Sequence, residues 1–255
     1  MKLDSLISAL KHLLFQQVPK LAITEAIFWL IAMKIDNPAL VDVCWVVNHF
    51  IIGASIGTNN FSDPSLLFRG TKTALNFTLL ALWTLRLGGY LLTTRIIKPY
   101  VDPRYKDLAA KYKINKLGYF FIQFQFQGIL SALTGIPLYY LFTDTSQEFT
   151  WTNYLGISLA LTGLIGEAIA DHQLYQFKQK RKDNKESFRG GLFKKSRHPN
   201  LFFELVFWSG MAVNAIDINN IGGTIYGLLG PFLLWGIMNF VTIPVTTAHM
   251  KKTKT

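Results

Sequence analysis

The residues best suited to chemistry lie in the segment GEAIADHQLYQF, which carries two acids and a phenol at regular spacing. Glu167, Asp171 and Tyr175 are each four residues apart, which places them on one face of a helix. Two carboxyl groups beside a hydroxyl group suit a polar-lined cavity. The same two acids could instead neutralise Arg86 and Arg95 and hold helices together. Both interpretations are open at this point.

A second polar group of residues stands where a basic segment runs into an apolar one, in GGLFKKSRHPNLFFELVFW from Gly190 to Trp208. Pro199 suits the first turn of a helix, because its missing N–H would have no partner there. The free amides of such a turn favour an anion. With Lys194, Lys195 and Arg197 beside it, the segment predicts a phosphate-binding corner. A helix cap flanked by interfacial basic residues is the alternative.

These residues must be positioned by apolar elements. Hydrophobic residues make up 50% of the 255-residue chain and charged residues only 16%, which is too apolar for an ordinary soluble domain. A bilayer-spanning helix needs about 20 mostly apolar residues. Charge, proline and glycine divide the chain into roughly seven such stretches. We predict an all-α polytopic membrane bundle of about seven transmembrane helices, at residues 20–35, 38–57, 73–97, 118–142, 151–177, 200–216 and 222–247.

The domain organisation predicted from these stretches is simple. Residues 1–19 are amphipathic and are expected to form an interfacial helix rather than a cleavable leader. Residues 20–250 form one seven-helix membrane domain in this interpretation, and residues 251–255 are a basic tail. Cys44 is the single cysteine and the histidines lack ligand spacing, so neither a disulfide nor a metal site is expected.

Charge predicts the orientation of the bundle, because cytoplasmic loops collect Lys and Arg. The loop 98–117 has six basic and two acidic residues, and the loop 178–199 has nine basic and two acidic residues. Both fall on the side of the C-terminus, whereas the opposite loops carry almost no net charge. The two termini are therefore expected on opposite sides. Basic residues beside spans already match anionic membrane lipid, so nucleic acid is not an expected partner.

Seven ionisable residues fall within the predicted spans, where each needs a partner or a function. At about 1.5 Å of rise per residue, six of them lie in the half of the membrane that faces the basic loops. They predict a polar cavity open to that side. The six are Asp42, Arg86, Arg95, Glu167, Asp171 and Glu204, and Glu25 lies in the other half.

A series of short motifs resembles the steroid 5α-reductase-like family of membrane proteins, and in particular its poorly characterised bacterial and protist branch. The resemblance covers residues 38–245, and six motifs in the same order make it specific. The motifs are DVCW (42–45), LWTLRLGGYLLTTR (82–95), DPRY (102–105), FQGIL (126–130), GEAIADHQLYQFK (166–178) and GGLFKKSRHPN (190–200).

The resemblance implies a bundle of seven membrane helices with a cytosolic C-terminus, which agrees with the orientation predicted from charge. Enzymes of the family hold NADPH in a cavity open to the cytosol and transfer hydride to a conjugated enone. The implied cofactor-binding residues are Glu167 and Asp171 at the nucleotide, Lys178 and Arg197 at its phosphates, and Asn200 and Glu204 at the nicotinamide end, with His198 in the same motif.

Hydride transfer to an enone also requires a group that stabilises negative charge on the carbonyl oxygen. The resemblance makes Tyr105 and a protonated Asp42 the candidates for that group, with Glu204 as a third catalytic candidate. It assigns Trp45, Arg86 and Arg95 to the substrate side or to structural support.

Departures from the family pattern keep other functions open. The family motif RHPNYxGE reads RHPNLFFE here, so Leu201 replaces an aromatic hydroxyl and Phe203 replaces a glycine, and the segment TIPVTT at 242–247 lacks the family's acid.

The first hypothesis is an NADPH-dependent reductase of a lipid-like enone, such as a sterol or polyprenoid. The second is a non-catalytic accessory subunit that contacts neighbouring subunits of a larger membrane complex, and the third is a membrane methyltransferase. The membrane would be the mitochondrial inner membrane or endoplasmic reticulum in a eukaryote, and the plasma membrane in a bacterium.

Overall fold

The computed structural model describes residues 2–97, 105, 115–182 and 186–252. The described residues are mostly helical and contain no strand, so the all-α prediction is confirmed. In chain order the α-helices are α1 (Lys2–His12), α2 (Val18–Lys34), α3 (Leu40–Gly57), α4 (Thr71–Leu91), α5 (Lys116–Thr134), α6 (Ile136–Thr143), α7 (Trp151–Lys180), α8 (Pro199–Asn214), α9 (Ile221–Thr224), α10 (Leu229–Ile237) and α11 (Ile243–Lys252). Shorter helical turns of other types connect them at Leu13–Gln17, Pro64–Phe68, Leu92–Ile97, Gly191–Lys194, Ile225–Leu228 and Met238–Thr242.

Within the described part of the chain, four helical stretches are long and apolar enough to cross a membrane, and each matches a predicted span. They are Leu40–Gly57, Thr71–Ile97, Trp151–Lys180 and Ile225–Ala248. The other three predicted spans also fall on helices, but α2 has 17 residues and α8 has 16. The third, predicted as one span at 118–142, is divided between α5 and α6. The division follows from Pro137, which lies in the first turn of α6 and cannot continue α5, because it lacks an N–H group.

The long helices alternate in direction between two ends of the bundle. Near one end, Lys72 at the start of α4 pairs with Asp144 after α6 at 2.6 Å. Near the other, the Asn37 side chain donates a hydrogen bond to the Arg95 carbonyl oxygen at 2.8 Å. We call the second end the basic end. Its described parts are the turn 35–39, the turn that ends at Ile97, the start of α5, and residues 181–182 and 186–198.

Helices α7 and α8 form the most extensive helix pair in the described structure. They run antiparallel, and glycines allow their backbones to touch. A Cβ atom at Gly163 would lie 2.7 Å from the Phe203 carbonyl oxygen, and one at Gly210 would lie 2.6 Å from the Gly156 carbonyl oxygen. Small residues are the usual means of close helix packing in membranes. This packing sets the first turns of α8 beside the last turns of α7 at the basic end.

Aromatic rings join α3, α4 and α8 in the interior. His49 is fully buried and lies 4.7 Å from the rings of both Trp45 and Trp208. Trp83 stacks on Phe207 with their ring centroids 5.7 Å apart. Both ring nitrogens of His49 have hydrogen-bond partners. His49 is therefore a satisfied core residue, and Trp45 packs on it from the basic side of α3.

Glu25, the acid predicted in the other half of the membrane, lies apart from the remaining charges. It is fully buried, and its Oε1 atom accepts a hydrogen bond from the Asn48 amide at 2.6 Å. The same amide group donates to the Ser131 hydroxyl at 3.2 Å. A Cβ atom at Gly128 would lie 3.2 Å from the Glu25 side chain, so α5 fits closely around this acid. An amide, rather than a cation, contacts the Oε1 atom of this carboxyl group, and its buried Oε2 atom has no hydrogen-bond partner among the described residues.

Candidate functional site

The site is built around Arg86 on α4, which bridges two acids on α7. Its Nη2 atom lies 2.5 Å from Glu167 Oε2, and its Nη1 atom donates a hydrogen bond to Asp171 Oδ2 at 2.8 Å. Only 18% of the arginine side chain is exposed, and the acids are 3% and 6% exposed. The four-residue spacing on α7 thus presents both acids to one guanidinium group. These ion pairs join α4 to α7, which is one of the two interpretations that the sequence left open.

A second ion pair lies nearer to the basic end, between Asp42 on α3 and Arg95 in the turn that follows α4. The Tyr105 hydroxyl donates a hydrogen bond to Asp42 Oδ1 at 3.1 Å. The Asp42 and Arg95 side chains are 23% and 28% exposed, so this pair is more open than that of Arg86. Two of the candidate catalytic residues, Asp42 and Tyr105, are therefore in direct contact, and Trp45 lies one helical turn from Asp42 on α3.

The start of α8 adds two further residues to the cluster. The Asn200 side chain lies close enough to the Asp171 carboxylate to interact with it. Glu204 follows one helical turn later and lies close enough to Arg86 and Asp171 to interact with them electrostatically. No guanidinium pairs directly with Glu204 among the described ion pairs. The described cluster therefore contains more carboxyl groups than guanidinium groups.

A cleft of about 330 Å³ lies between α4 and α7 and has the Arg86–Asp171 pair in its wall. Gly89, Tyr90, Thr93 and Tyr175 are among its other lining residues. Sequence analysis placed Tyr175 on the acidic face of α7 but missed Tyr90. The sequence does predict that Tyr90 lies on the same helix face as Arg86, because it follows Arg86 by four residues.

The basic corner predicted from the sequence lies at the same end of the bundle as the cleft. Lys178 in the last turn of α7, Lys194, Lys195 and Arg197 are all exposed. Burial and then the neighbouring Arg197 lower the pKa of His198 below its ordinary value, so its imidazole is neutral at pH 7. The exposed side chains of these cations are thus accessible to a dissolved anion.

The segment between α7 and α8 is folded back onto α7. Gln173 Oε1 accepts a hydrogen bond from the Leu192 backbone N–H at 2.9 Å. Phe188 stacks on Phe177 at 4.9 Å and contacts Phe193 at 5.1 Å. These contacts hold residues 188–193 of the basic segment against the last turns of α7.

Phe203, which the sequence comparison predicts to replace a family glycine, is not among the residues that line the cleft. Phe203 faces Gly166 on α7, where even a Cβ atom would collide with its ring. Leu201 packs against the hydrophobic core. The larger side chain at 203 is therefore accommodated in the α7–α8 interface by a glycine on the opposite helix.

Comparison with known families supports the resemblance found in the sequence. A model described as "protein of unknown function (DUF1295)" matches residues 28–255, most of the chain. The chain belongs to the DUF1295 family. DUF1295 is a steroid 5α-reductase-like family, so the predicted family relationship is confirmed at that level. No curated protein and no solved structure matches this DUF1295 chain.

Proposed function

We propose that this DUF1295 protein is an integral membrane reductase that uses NADPH to reduce a lipid-like enone, such as a sterol or a polyprenoid. The observation that carries the proposal is the cluster of Arg86, Glu167 and Asp171 in the wall of a cleft, at the end of the bundle that also bears the basic corner. Membership of a steroid 5α-reductase-like family supports the reaction class. In this proposal all seven helical stretches cross the membrane, and the basic end and C-terminus face the cytosol.

The charges of the site fit NADPH in one orientation. Its phosphates carry negative charge and suit the exposed Lys178 and Arg197, while Glu204 and its neighbouring acids would repel them. The carboxamide of its nicotinamide ring has N–H groups that suit carboxylate acceptors, and the oxidised ring carries a positive charge. Asn200 lies between the two regions, at the first turn of α8. The phosphates are therefore assigned to the basic corner and the nicotinamide to the acids, with His198 beside the boundary.

When bound, NADPH supplies the hydride; the protein must hold the substrate and provide one proton. Asp42 pairs with Arg95 and accepts a hydrogen bond from the Tyr105 hydroxyl, and the Asp42 side chain is partly exposed. In this proposal Asp42 and Tyr105 hold the proton that the substrate needs. Either the Tyr105 hydroxyl or a protonated Asp42 would stabilise charge on the substrate oxygen. Glu204 is the candidate acid on the nicotinamide side. Arg86 orients Glu167 and Asp171 and supports the site from α4.

The accessory-subunit hypothesis has one observation in its favour. Arg86 already pairs with both acids of α7, and such a network can hold helices together without catalysis. A methyltransferase would place a different cofactor in the same cleft. The three hypotheses therefore differ in the expected cofactor: NADPH for a reductase, a different cofactor for a methyltransferase, and none for a non-catalytic accessory subunit.

The deciding experiment is titration of the purified protein with NADPH in mild detergent, followed by calorimetry or by cofactor fluorescence. The reductase proposal expects saturable binding, and Arg197→Ala should weaken it by about 1.5–3 kcal/mol, the value of a hydrogen bond to a charged group. Lys11→Ala is the matched control, because Lys11 is an exposed cation on α1, outside the basic corner. Absence of NADPH binding at high micromolar cofactor would refute the reductase proposal. Binding that is unchanged in Arg197→Ala would refute the phosphate assignment alone.

A further inference from the structure

Lys20, in the first turn of α2, is a cation that is held by neutral groups. Its Nζ atom donates hydrogen bonds to the Ser55 hydroxyl and to the Asn60 Oδ1 atom, both at 2.7 Å. The centre of the Phe61 ring lies 5.9 Å from the same nitrogen. Among the described residues, no acid forms an ion pair with Lys20. Its positive charge is therefore not balanced by any described side chain.

The groups that surround this ammonium belong to a strained turn after α3. Asn59, Asn60 and Phe61 have positive φ angles of 50°, 62° and 66°. Residues other than glycine rarely adopt this conformation, and a bulky residue such as phenylalanine does so least of all. The Asn60 N–H donates to the Ser55 carbonyl oxygen at 2.7 Å, and the Phe61 N–H donates to the Thr58 hydroxyl at 2.9 Å. Such strain is typical of ligand-binding positions, and here it fixes the acceptor and the ring beside the ammonium group.

The ammonium group lies at the end of the bundle opposite the basic end. Helix α3 begins beside the turn 35–39 of the basic end, and Ser55 lies in the last turn of this helix. Ser55 is fully buried whereas Asn60 is exposed, so the ammonium group lies at the boundary between the bundle and its surroundings. An ammonium group has three N–H donors, and these two hydrogen bonds leave one donor for a further acceptor.

An exposed apolar stripe runs along α2 from Lys20. Ile23, Ile27 and Ile31 follow Lys20 by 3, 7 and 11 residues, so the four residues share one face of the helix. The three isoleucines are 66%, 51% and 45% exposed. At about 1.5 Å of rise per residue, the stripe is about 16 Å long. One leaflet contributes about 15 Å to the hydrocarbon core of a bilayer, so the stripe has the length of a lipid acyl chain in one leaflet.

We propose that Lys20 binds the phosphate of a phospholipid with a net negative headgroup, such as phosphatidylglycerol, whose acyl chain lies along Ile23, Ile27 and Ile31. The phosphate supplies both the acceptor and the negative charge that the ammonium group lacks. Inorganic phosphate would leave the apolar stripe uncovered, and a zwitterionic headgroup carries an ammonium group of its own. Neither of them matches both features. The site is independent of the proposed function, because it requires no cofactor and lies at the opposite end of the bundle from the basic corner.

The test is native mass spectrometry of the full-length protein in mild detergent, titrated with lipids that have identical chains. The probes are phosphatidylglycerol, phosphatidylcholine and diacylglycerol, and inorganic phosphate is the competitor. Lys20→Gln removes the ammonium group. Lys34→Gln is the matched control, because Lys34 is an exposed cation at the other end of α2 and forms no hydrogen bond with a described side chain.

A second pair of variants leaves Lys20 in place. Asn60→Asp puts a carboxylate where the amide oxygen already contacts the ammonium group, so it balances the charge without a change of side-chain size. Aspartate, like asparagine, tolerates a positive φ angle, so this variant is expected to fold. Asn59→Asp is its matched control, because it adds the same charge to the same turn at an exposed side chain that does not contact Lys20. If Lys20→Gln does not fold, this second pair decides the test.

We expect wild-type protein to bind phosphatidylglycerol about tenfold more tightly than diacylglycerol, as for a hydrogen bond between charged groups. The preference should be lost in Lys20→Gln and in Asn60→Asp. It should stay within about twofold of wild type in Lys34→Gln and Asn59→Asp, which change charges at the surface.

Four results would each overturn the proposal: no preference over diacylglycerol, the same preference in wild type and Asn60→Asp, equal losses in the control variants, or displacement of the lipid by inorganic phosphate at the same concentration. Equal binding of phosphatidylcholine and phosphatidylglycerol would overturn the requirement for a net negative headgroup.

Discussion

Replacing Arg86 with glutamine is the most direct perturbation of the acid cluster. The substitution removes the cation shared by Glu167 and Asp171, whose side chains are only 3% and 6% exposed. Removing one partner of a buried ion pair leaves an uncompensated charge, which destabilises a protein by about 3–5 kcal/mol. We therefore expect Arg86→Gln to lower the free energy of unfolding by about 3–5 kcal/mol. For a chain of this size that corresponds to a fall in the melting temperature of roughly 6–20 °C.

The measurement is an unfolding titration in mixed micelles without cofactor or lipid substrate, so that only the protein's own contacts contribute. A triple variant with Arg86→Gln, Glu167→Gln and Asp171→Asn removes the cation and both acids together. It should recover most of the loss, because amides of similar shape can hydrogen-bond to one another without an unpaired charge. Arg95→Gln is the comparison at a more exposed pair, and we expect about 1–2 kcal/mol there.

Two results would refute this reasoning. An Arg86→Gln variant within about 1 kcal/mol of wild type would show that the ion pairs do not stabilise the bundle. A triple variant as unstable as the single one would show that the loss comes from packing of the arginine side chain rather than from unpaired acids.

Three further predictions concern packing and exposure. Gly163→Leu should lower the free energy of unfolding by about 3 kcal/mol or more, because backbone atoms of α8 leave no space, whereas Gly236→Leu should have little effect in the same unfolding titration. Phe188→Ala should speed trypsin cleavage of the basic segment severalfold, because it removes the stacking that holds this segment on α7. The control Phe202→Ala changes an exposed ring and should not alter the cleavage rate. Equal digestion rates of the two variants would contradict this prediction. Cys44 is fully buried and should react with maleimide only after denaturation, as measured by mass spectrometry, and rapid labelling of native protein would contradict the described core.

The helices could be predicted from the sequence because apolar stretches between charged residues, glycine and proline mark them directly. The stretch predicted at 73–97 begins two residues after the start of α4 and ends with the turn that follows it. The division at Gly135 was missed, because an apolar run on both sides of a proline gives the same hydropathy signal as one span. The N-terminal segment also continues through the turn at Leu13–Gln17 directly into α2.

The residues of the site could be predicted from the sequence more readily than the ion pairs that they form. Helical spacing placed Glu167, Asp171 and Tyr175 on one face, and the structure brings the first two to Arg86. The spacing does not predict that Asp42 pairs with Arg95 rather than with Arg86, because the choice of partner depends on how each helix is rotated about its axis. The closeness of Asn200 to Asp171 likewise depends on the glycine packing of α7 against α8. The catalytic and cofactor-binding roles stay predictions until the cofactor titration is done.

The charges of the described acid cluster are unequal in number. A network that serves only to hold helices together is most stable when each acid has a cation, since an unpaired charge in a bilayer is destabilising by several kcal/mol. Among the described residues the cluster has four acids, Asp42, Glu167, Asp171 and Glu204, against the guanidinium groups of Arg86 and Arg95. A bound proton, or a ligand with N–H donors, would balance the additional acids of the described cluster.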